Sequence, residues 1–161
     1  MKNLQDLFEH QLKDLYSAES QLIKALPKMV KNATDKKLKS AFESHLKETE
    51  EQKTTLEEIC KKLEIKPGGE KCKAMAGLIE EAEGFIKEAE GEEVMDAGLI
   101  AEAQRVEHYE ISGYGTAVRF AKELGHKEIA KMLQKILDQE YKADETLDGL
   151  AESRLNKKAI A

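Results

Sequence analysis

Apolar residues recur at three- and four-residue steps along four long segments of this 161-residue chain. This spacing is the repeat of an α-helix with one buried face, whereas a half-buried strand would alternate at every second residue. The chain contains two prolines and 5% aromatic residues, which also favours helices over sheets. We therefore predict an all-α protein. Its 40% hydrophobic content suffices for one core, so we expect residues 1–161 to form a single domain.

The periodic segments predict four helices and one long connection. The helices are expected at about residues 3–30, 35–63, 94–123 and 126–153. Asn3 is suited to cap the first helix, and Thr34 or Asp35 the second. Gly125 is suited to a left-handed cap after the third. Residues 64–92 combine a Pro-Gly-Gly break with a weak amphipathic pattern, which is typical of a crossover that carries a short helix.

Acidic or histidine side chains interrupt the apolar stripe of each predicted helix. They are Glu19 on the first helix, His45 and Glu48 on the second, Glu107 and Glu110 on the third, and Glu140 and Asp144 on the fourth. Side chains three or four residues apart share a helix face, so each pair can reach one point in space. An ionised carboxylate is costly to bury unless it is paired, protonated or bound to a metal. The pattern therefore indicates a chemical role inside the protein.

Two explanations of these polar residues remain open, namely interhelical ion pairs and a metal site. Singly, Glu19 or Glu140 would more often form a partly exposed salt bridge, and His45 would more often be a satisfied core histidine. However, no lysine or arginine falls in the four stripes, and carboxylates that face one another repel strongly. Carboxylates and an imidazole are suitable ligands for two divalent cations. We predict a dinuclear metal site in which one carboxylate is protonated, pairs with His45 or lies outside the direct ligands.

Four stretches of the chain carry a resemblance to a known family, namely LFEHQLKDLYSAE, HLKET, DAGLIAEAQRVEHYEISGYGTA, and a GH followed by LDQEYKADE. With these motifs the sequence resembles the YciF-like branch of the ferritin-like proteins over nearly the whole chain. This resemblance implies a ferritin-like four-helix bundle with a crossover between the second and third helices, a homodimer, and a bacterial stress protein. We expect two divalent ions per chain, with iron as the first choice and manganese as the second.

The chain departs from the usual ferritin and rubrerythrin pattern, which repeats a Glu on one helix and Glu-x-x-His on the next. Here the second helix has the reversed order His45-x-x-Glu48, and the fourth carries Glu140-x-x-x-Asp144. We therefore consider two functions. In the first, the protein acts in the stress response by binding or oxidising metal ions, and oxygen or peroxide is the small-molecule ligand of the metal centre. The alternative is a structural or interaction stress protein with a weak or purely structural metal site.

Composition argues against several other classes of function. The net charge of −6 is spread over interleaved Glu and Lys residues, which indicates solvated helix surfaces rather than a nucleic-acid interface. Cys60 and Cys72 form no CxxC pair, so neither a disulfide framework nor a zinc ribbon is expected. The N-terminal residues lack a continuous apolar run, and no stretch approaches the length of a membrane span. We expect a soluble cytoplasmic protein.

The remaining histidines and tyrosines are given structural roles. His108 and Tyr109 adjoin Glu107 in sequence, but each step along a helix turns the side chain by about a hundred degrees. We therefore assign both residues to contacts around the site or in a dimer. Tyr114 and Tyr141 are assigned to packing.

Overall fold

The computed structural model describes residues 1–160, and within that range it contains helices and no β-strand. The longer helices are α1 (Leu4–Asn32), α2 (Lys36–Lys62), α3 (Lys73–Glu88), α4 (Glu92–Glu123) and α5 (Lys127–Leu150). A π-helical turn (Ala151–Leu155) and a short α6 (Asn156–Lys158) follow α5. The prediction of an all-α protein is confirmed. No helix in the described range combines the length and apolar character that crossing a membrane requires.

Side chains at the predicted positions cap the first two long helices. Oδ1 of Asn3 accepts a hydrogen bond from the backbone N–H of Asp6 at 2.9 Å. Oδ1 of Asp35 accepts from the backbone N–H groups of Lys37 and Leu38, at 2.9 and 3.2 Å. The side-chain oxygen of each capping residue thus accepts hydrogen bonds from backbone N–H groups that have no partner within the first turn of the helix. Both capping predictions are confirmed, with Asp35 rather than Thr34 at the start of α2.

The backbone conformation changes where α4 and α5 end. Gly125 has a φ of +79°, the left-handed value that glycine adopts without steric cost, so the predicted cap after α4 is confirmed. The apolar pattern predicts a regular helix to residue 153, but α5 gives way to the π-helical turn after Leu150. The wider turn keeps Ala151 and Leu155 on one face, and both side chains are buried.

Each of the four long helices α1, α2, α4 and α5 contacts two of the others. α1 packs on α2 and α4, and α5 packs on α4 and α2. α3 lies in the connection between α2 and α4, and it packs on α4 and α1. The apolar stripes of the four long helices therefore face a shared interior.

That interior contains two apolar clusters separated by polar residues. One cluster includes Leu22, Phe42, Val106 and Leu147, and the other includes Leu15, Leu56, Tyr114 and Leu137. Along every long helix, buried polar residues lie between members of the two clusters. We call the acidic and histidine members of this set the polar layer, and they are Glu19, His45, Glu107, Glu110 and Glu140. The layer interrupts a core that would otherwise be continuous and apolar.

α3 is held against the long helices by hydrogen bonds at its start and by an aromatic contact near its end. The backbone N–H of Cys72 donates to Oγ of Ser17 at 2.9 Å, and Nε2 of Gln21 donates to the carbonyl of Cys72 at 3.0 Å. The ring of Phe85 lies against Gly98 of α4, where an added Cβ would be 1.8 Å from a ring atom. The absence of a side chain at Gly98 therefore permits this close approach.

Candidate metal centre

Four buried side chains from three helices converge in the polar layer. They are His45 from α2, Glu107 and Glu110 from α4, and Glu140 from α5, and we call them the four-residue group. One nitrogen or carboxylate oxygen from each lies within 4.8 Å of the corresponding atom of every other member. Relative exposure ranges from 0% for Glu110 and Glu140 to 6% for His45. The group is therefore almost completely removed from bulk water.

Burial sets the protonation states of the group. The pKa values of Glu107 and Glu110 are well above the ordinary 4.5 because burial disfavours the charged form, and neighbouring carboxylates raise them further. Burial, opposed by hydrogen bonds from Glu107 and Gln52, raises the pKa of Glu140 to about 7. Burial also lowers the pKa of His45 to about 4. The imidazole is consequently neutral at pH 7, and it keeps a nitrogen lone pair for a metal ion.

The contact between His45 and Glu107 is not a strong ion pair. Nε2 of His45 lies 3.4 Å from Oε1 of Glu107, which is longer than a good N–H···O hydrogen bond, and the imidazole is neutral. None of the lysine and arginine ion pairs found within residues 1–160 includes a member of the four-residue group. Interhelical ion pairs therefore do not account for the buried carboxylates.

When the carboxyl groups are ionised, most polar atoms of the group have no hydrogen-bond donor within residues 1–160. The atoms concerned are both ring nitrogens of His45, both carboxyl oxygens of Glu110, Oε2 of Glu107 and Oε2 of Glu140. Each buried polar atom left without a partner costs roughly 1–3 kcal/mol. Imidazole nitrogen and carboxylate oxygen are ligands that suit divalent iron, zinc or manganese. The unpartnered atoms and the donor set therefore fit a divalent metal ion.

Glu19 of α1 lies in the polar layer beside the group and is fully buried. Its Oε1 accepts a hydrogen bond from the hydroxyl of Tyr114, and its Oε2 has no partner in the described range. Burial and the charge of Glu140 raise the pKa of Glu19 well above 4.5. Tyr114 packs in the core, but its hydroxyl also orients Glu19. The sequence contains a signal for this role, because Tyr114 follows Glu110 by four residues on one face of α4.

Gln52 is a functional candidate outside the predicted metal ligands, although the helical pattern places it on the same face as His45. Its Nε2 donates a hydrogen bond to Oε1 of Glu140, and its side chain is 1% exposed. Gln52 thereby fixes the orientation of Glu140 from the opposite helix. The two residues His45 and Gln52 are seven apart, which places them on the same face of α2. That spacing predicts the shared face, but it does not predict the hydrogen bond to Glu140.

Glu48 and Asp144 are the predicted site residues that lie at the edge of the group. Both are partly exposed. Oδ1 of Asp144 accepts a hydrogen bond from Nε2 of Gln104 at 3.0 Å, and its Oδ2 lies 3.2 Å from Nε2 of His108. The carboxylate of Asp144 thus has protein partners already. Glu48 lines a cavity that leads to the group. The structure brings four of the seven predicted residues together, with Glu19 adjacent to them.

Comparison with known proteins gives full-length matches. The sequence profile of the family described as "Domain of unknown function (DUF892)" matches residues 3–160. Protein YciF of Escherichia coli (strain K12) is 45% identical over 160 residues, which cover 99% of this chain and 96% of that protein. The crystal structure of the E. coli stress protein YciF matches with a TM-score of 0.93 and 44% identity, covering 98% of this chain and 99% of that one.

Two further solved structures share the fold. YcfI from Rhodopseudomonas palustris, provisionally described as a structural protein, matches with a TM-score of 0.89 and 44% identity over 92% of this chain and 94% of that one. A protein from Xanthomonas campestris is only 20% identical but matches with a TM-score of 0.79 over 99% of this chain and 100% of that one. The resemblance to the YciF-like branch of the ferritin-like proteins is confirmed, and the chain belongs to the DUF892 family.

Proposed function

We propose that α1, α2, α4 and α5 form a ferritin-like four-helix bundle, with α3 in the crossover, and that the polar layer binds divalent metal. The proposed content is two ions per chain, iron as the first choice and manganese as the second. The observation that carries this proposal is the set of unpartnered polar atoms in the four-residue group. A cation would satisfy these atoms and would offset the repulsion among the carboxylates.

The polar layer supplies the proposed ligands, and residues beside the layer orient them. The four-residue group would hold one ion, and Glu19 would join it for the second, with Asp144 at the edge of the site as a further candidate. Glu48 lines the cavity outside the group and is not assigned as a ligand. Gln52 and Tyr114 donate hydrogen bonds to Glu140 and Glu19, and so restrict the rotation of these carboxylates. Because burial keeps some of the carboxyl groups protonated in metal-free protein, metal binding releases protons. Two bound iron ions would supply the electrons that reduce oxygen or peroxide.

The setting that we propose is the bacterial response to oxidative or general stress, in the cytoplasm. The description of E. coli YciF as a stress protein supports this setting, since the match covers nearly the whole of both chains. The alternative is a structural or interaction role, and the description of YcfI of R. palustris as a structural protein favours it. In that case the metal would be weakly bound or purely structural, and the protein would act through a partner. Consumption of oxygen or peroxide when ferrous iron is added would separate the first function from the second.

The metal content of the purified protein tests the proposal. The protein is stripped with a chelator, loaded anaerobically with ferrous iron or manganese, desalted and analysed for metal. We expect up to two ions per chain and a higher melting temperature than in metal-free protein, because a ligand that binds only the folded state stabilises it. The variant Glu110→Gln should lower the stoichiometry, whereas Glu43→Gln, at an exposed position on α2, should not. A wild-type stoichiometry near zero would contradict the proposal.

We also propose that the chain is a single domain and assembles as a homodimer, as the resemblance to the YciF-like branch implies. Most soluble oligomers have closed symmetry, and the two-fold dimer is the commonest. Light scattering should give about twice the chain mass of 18.1 kDa. A monomer at micromolar concentration would be inconsistent with this assembly.

A further inference from the structure

A cavity of about 120 Å³ lies between α2 and α5 and leads to the four-residue group. We call it the access cavity. Its wall includes Ser44, Glu48, Lys142 and Ala143, and the buried residues that line it include His45 and Glu107. One ordered water needs roughly 10–15 Å³ of such space. The access cavity therefore has room for several waters or for a partly hydrated ion.

The access cavity reaches only one side of the group. Glu110 and Glu140 do not line it and are fully buried, in contrast to His45 and Glu107. A neighbouring cavity of about 190 Å³ lies between the same helices and is lined by Gln52, but no member of the group lines it. Because Gln52 is buried and hydrogen-bonded to Glu140, its side chain separates that cavity from the group. An ion that comes through the access cavity meets His45 and Glu107 first.

Two opposite charges flank the outer part of the access cavity. Glu48 is partly buried in the wall, about one helical turn after His45. Lys142 is exposed on the facing helix α5, and its charge acts on Glu48. Neither residue belongs to an ion pair within 4.0 Å among residues 1–160. The carboxylate of Glu48 is thus free to attract a cation, while Lys142 repels it.

We propose that the access cavity is the route by which hydrated divalent cations reach the four-residue group, with Glu48 receiving the ion and Lys142 slowing it. This inference rests on the proposed metal-binding function and gives Glu48 a separate role from the ligands. It explains why Glu48 stands apart from the four-residue group although it shares a helix face with His45. It also limits the solutes that can reach the group to ions and molecules of a few atoms.

The rate of cobalt(II) uptake tests the route. Cobalt(II) alone is mixed with metal-free protein, and its binding is followed by visible absorbance in a stopped-flow instrument. Ala143→Phe, which fills the access cavity, should slow uptake by at least about tenfold, because the ion must then wait for a local opening of the helices. Its final stoichiometry should match that of the wild type. Thr55→Phe is the matched control, because it places the same ring in the neighbouring cavity, and it should leave the rate unchanged.

Charge variants test the roles of Glu48 and Lys142 without filling the cavity, so they remain informative if Ala143→Phe fails to fold. Glu48→Gln should slow cobalt(II) uptake several-fold, and Lys142→Gln should speed it several-fold. Both effects should shrink at high salt, since screening weakens the attraction of exposed charges for an ion. The final cobalt(II) stoichiometry should be the same in both variants as in the wild type.

The outcomes separate this inference from the function on which it rests. If wild-type protein binds no cobalt(II), the proposed metal site is wrong. If it binds cobalt(II) but Thr55→Phe slows uptake and Ala143→Phe does not, the ion uses the neighbouring cavity instead. If Glu48→Gln loses a bound ion at equilibrium, Glu48 is a ligand and not a receiving group. If neither charge variant changes the rate, the roles given to Glu48 and Lys142 are wrong.

Discussion

Glu107 is the residue at which a metal site and a structural ion pair give opposite results on substitution. Glu107→Gln keeps the size of the side chain but removes its carboxyl group. Burial and the neighbouring carboxylates raise the pKa of that group. We expect the melting temperature of metal-free protein to hold or rise, because the amide relieves the repulsion. We expect the bound metal and any oxygen-dependent iron oxidation to decrease, because a ligand is lost.

The result that would overturn this assignment is a destabilised variant with unchanged metal content. Breaking a fully buried ion pair costs roughly 3–5 kcal/mol. His45 has a pKa of about 4 and is neutral at pH 7, so it cannot form such a pair with Glu107 there. Melting temperature and metal content should be measured on the same preparation, beside the exposed control Glu43→Gln.

Tyr114 supplies the hydrogen bond that Glu19 receives. Burial raises the pKa of the Tyr114 hydroxyl well above 10, so it remains a donor throughout the working pH range. We expect Tyr114→Phe to lower the free energy of unfolding of metal-free protein by about 1–3 kcal/mol, because Oε1 of Glu19 loses its partner. In a Glu19→Leu background the same change should cost clearly less. Equal costs in the two backgrounds, measured by urea unfolding, would show that the hydrogen bond does not stabilise the fold.

The sequence places the polar residues on the correct helix faces but does not determine which of them meet. His45 and Glu48 share a face by spacing, yet only His45 enters the four-residue group. At 3.6 residues per turn, two side chains three residues apart lie about 60° apart around the helix axis, and the packing angle of the helices decides which edge of the face points inward. Tyr114 and Gln52 were missed as partners because a lone tyrosine or glutamine in an apolar stripe fits a packing role equally well.

At the scale of the helices, Asp35 connects the start of α2 to the C-terminal turn. It caps α2, and Nη2 of Arg154 donates to its Oδ2 at 2.5 Å. Burial raises the pKa of Asp35, but the backbone hydrogen bonds and the Arg154 charge outweigh this and hold it below the ordinary 3.8. The folded state therefore favours the carboxylate form. This contribution to stability is present above pH 3.8 and is lost as the pH falls through the folded-state pKa.

We expect Asp35→Ala to destabilise the protein by about 1 kcal/mol at pH 7, because the helix cap is lost. The difference from the wild type should shrink as the pH falls below about 4, where Asp35 becomes protonated in both states. Urea unfolding of both proteins between pH 3 and 7 measures this difference. If the difference in the free energy of unfolding between the two proteins stayed constant with pH, the charge of Asp35 would not contribute to stability.

Gly98 controls how closely α3 approaches α4. A Cβ at this position would lie 1.8 Å from a ring atom of Phe85, so Gly98→Ala must displace the ring. We expect a loss of about 1–3 kcal/mol, as for other overpacked sites. Gly77→Ala is the matched control, because Gly77 lies in α3 and a Cβ added there meets no atom within 4 Å. It should be neutral or stabilising. Hydrogen exchange should show loss of protection in α3 for Gly98→Ala alone, and equal protection in both variants would contradict this contact.

The ends of the helices were predictable where one residue determines the backbone. Asn3, Asp35 and Gly125 each provide a capping group or a left-handed conformation that few residues supply as well. The π-helical turn at Ala151–Leu155 was not predictable, because its apolar spacing also fits an ordinary helix. There, packing of Ala151 and Leu155 in the core decides between two similar helical geometries.

At the scale of the whole molecule, the long amphipathic segments predict the helical class, because each must bury an apolar face against the others. The division of the interior into two apolar clusters also follows from the sequence, since polar residues interrupt all four stripes at the same depth. The pairing of the helices does not follow from periodicity, which is the same in each of them. The long connection at residues 64–92 predicts a crossover, and the resemblance to ferritin-like proteins implies the same connectivity.

The most direct test of the central claim is the location of bound metal in crystals soaked anaerobically with manganese(II) or ferrous iron. An anomalous difference map recorded at the metal absorption edge identifies the ion and its ligands. The account predicts a strong peak enclosed by His45, Glu107, Glu110 and Glu140, with a second peak adjacent to Glu19 at full loading. Peaks confined to surface carboxylates, with the polar layer empty in fully soaked crystals, would contradict it.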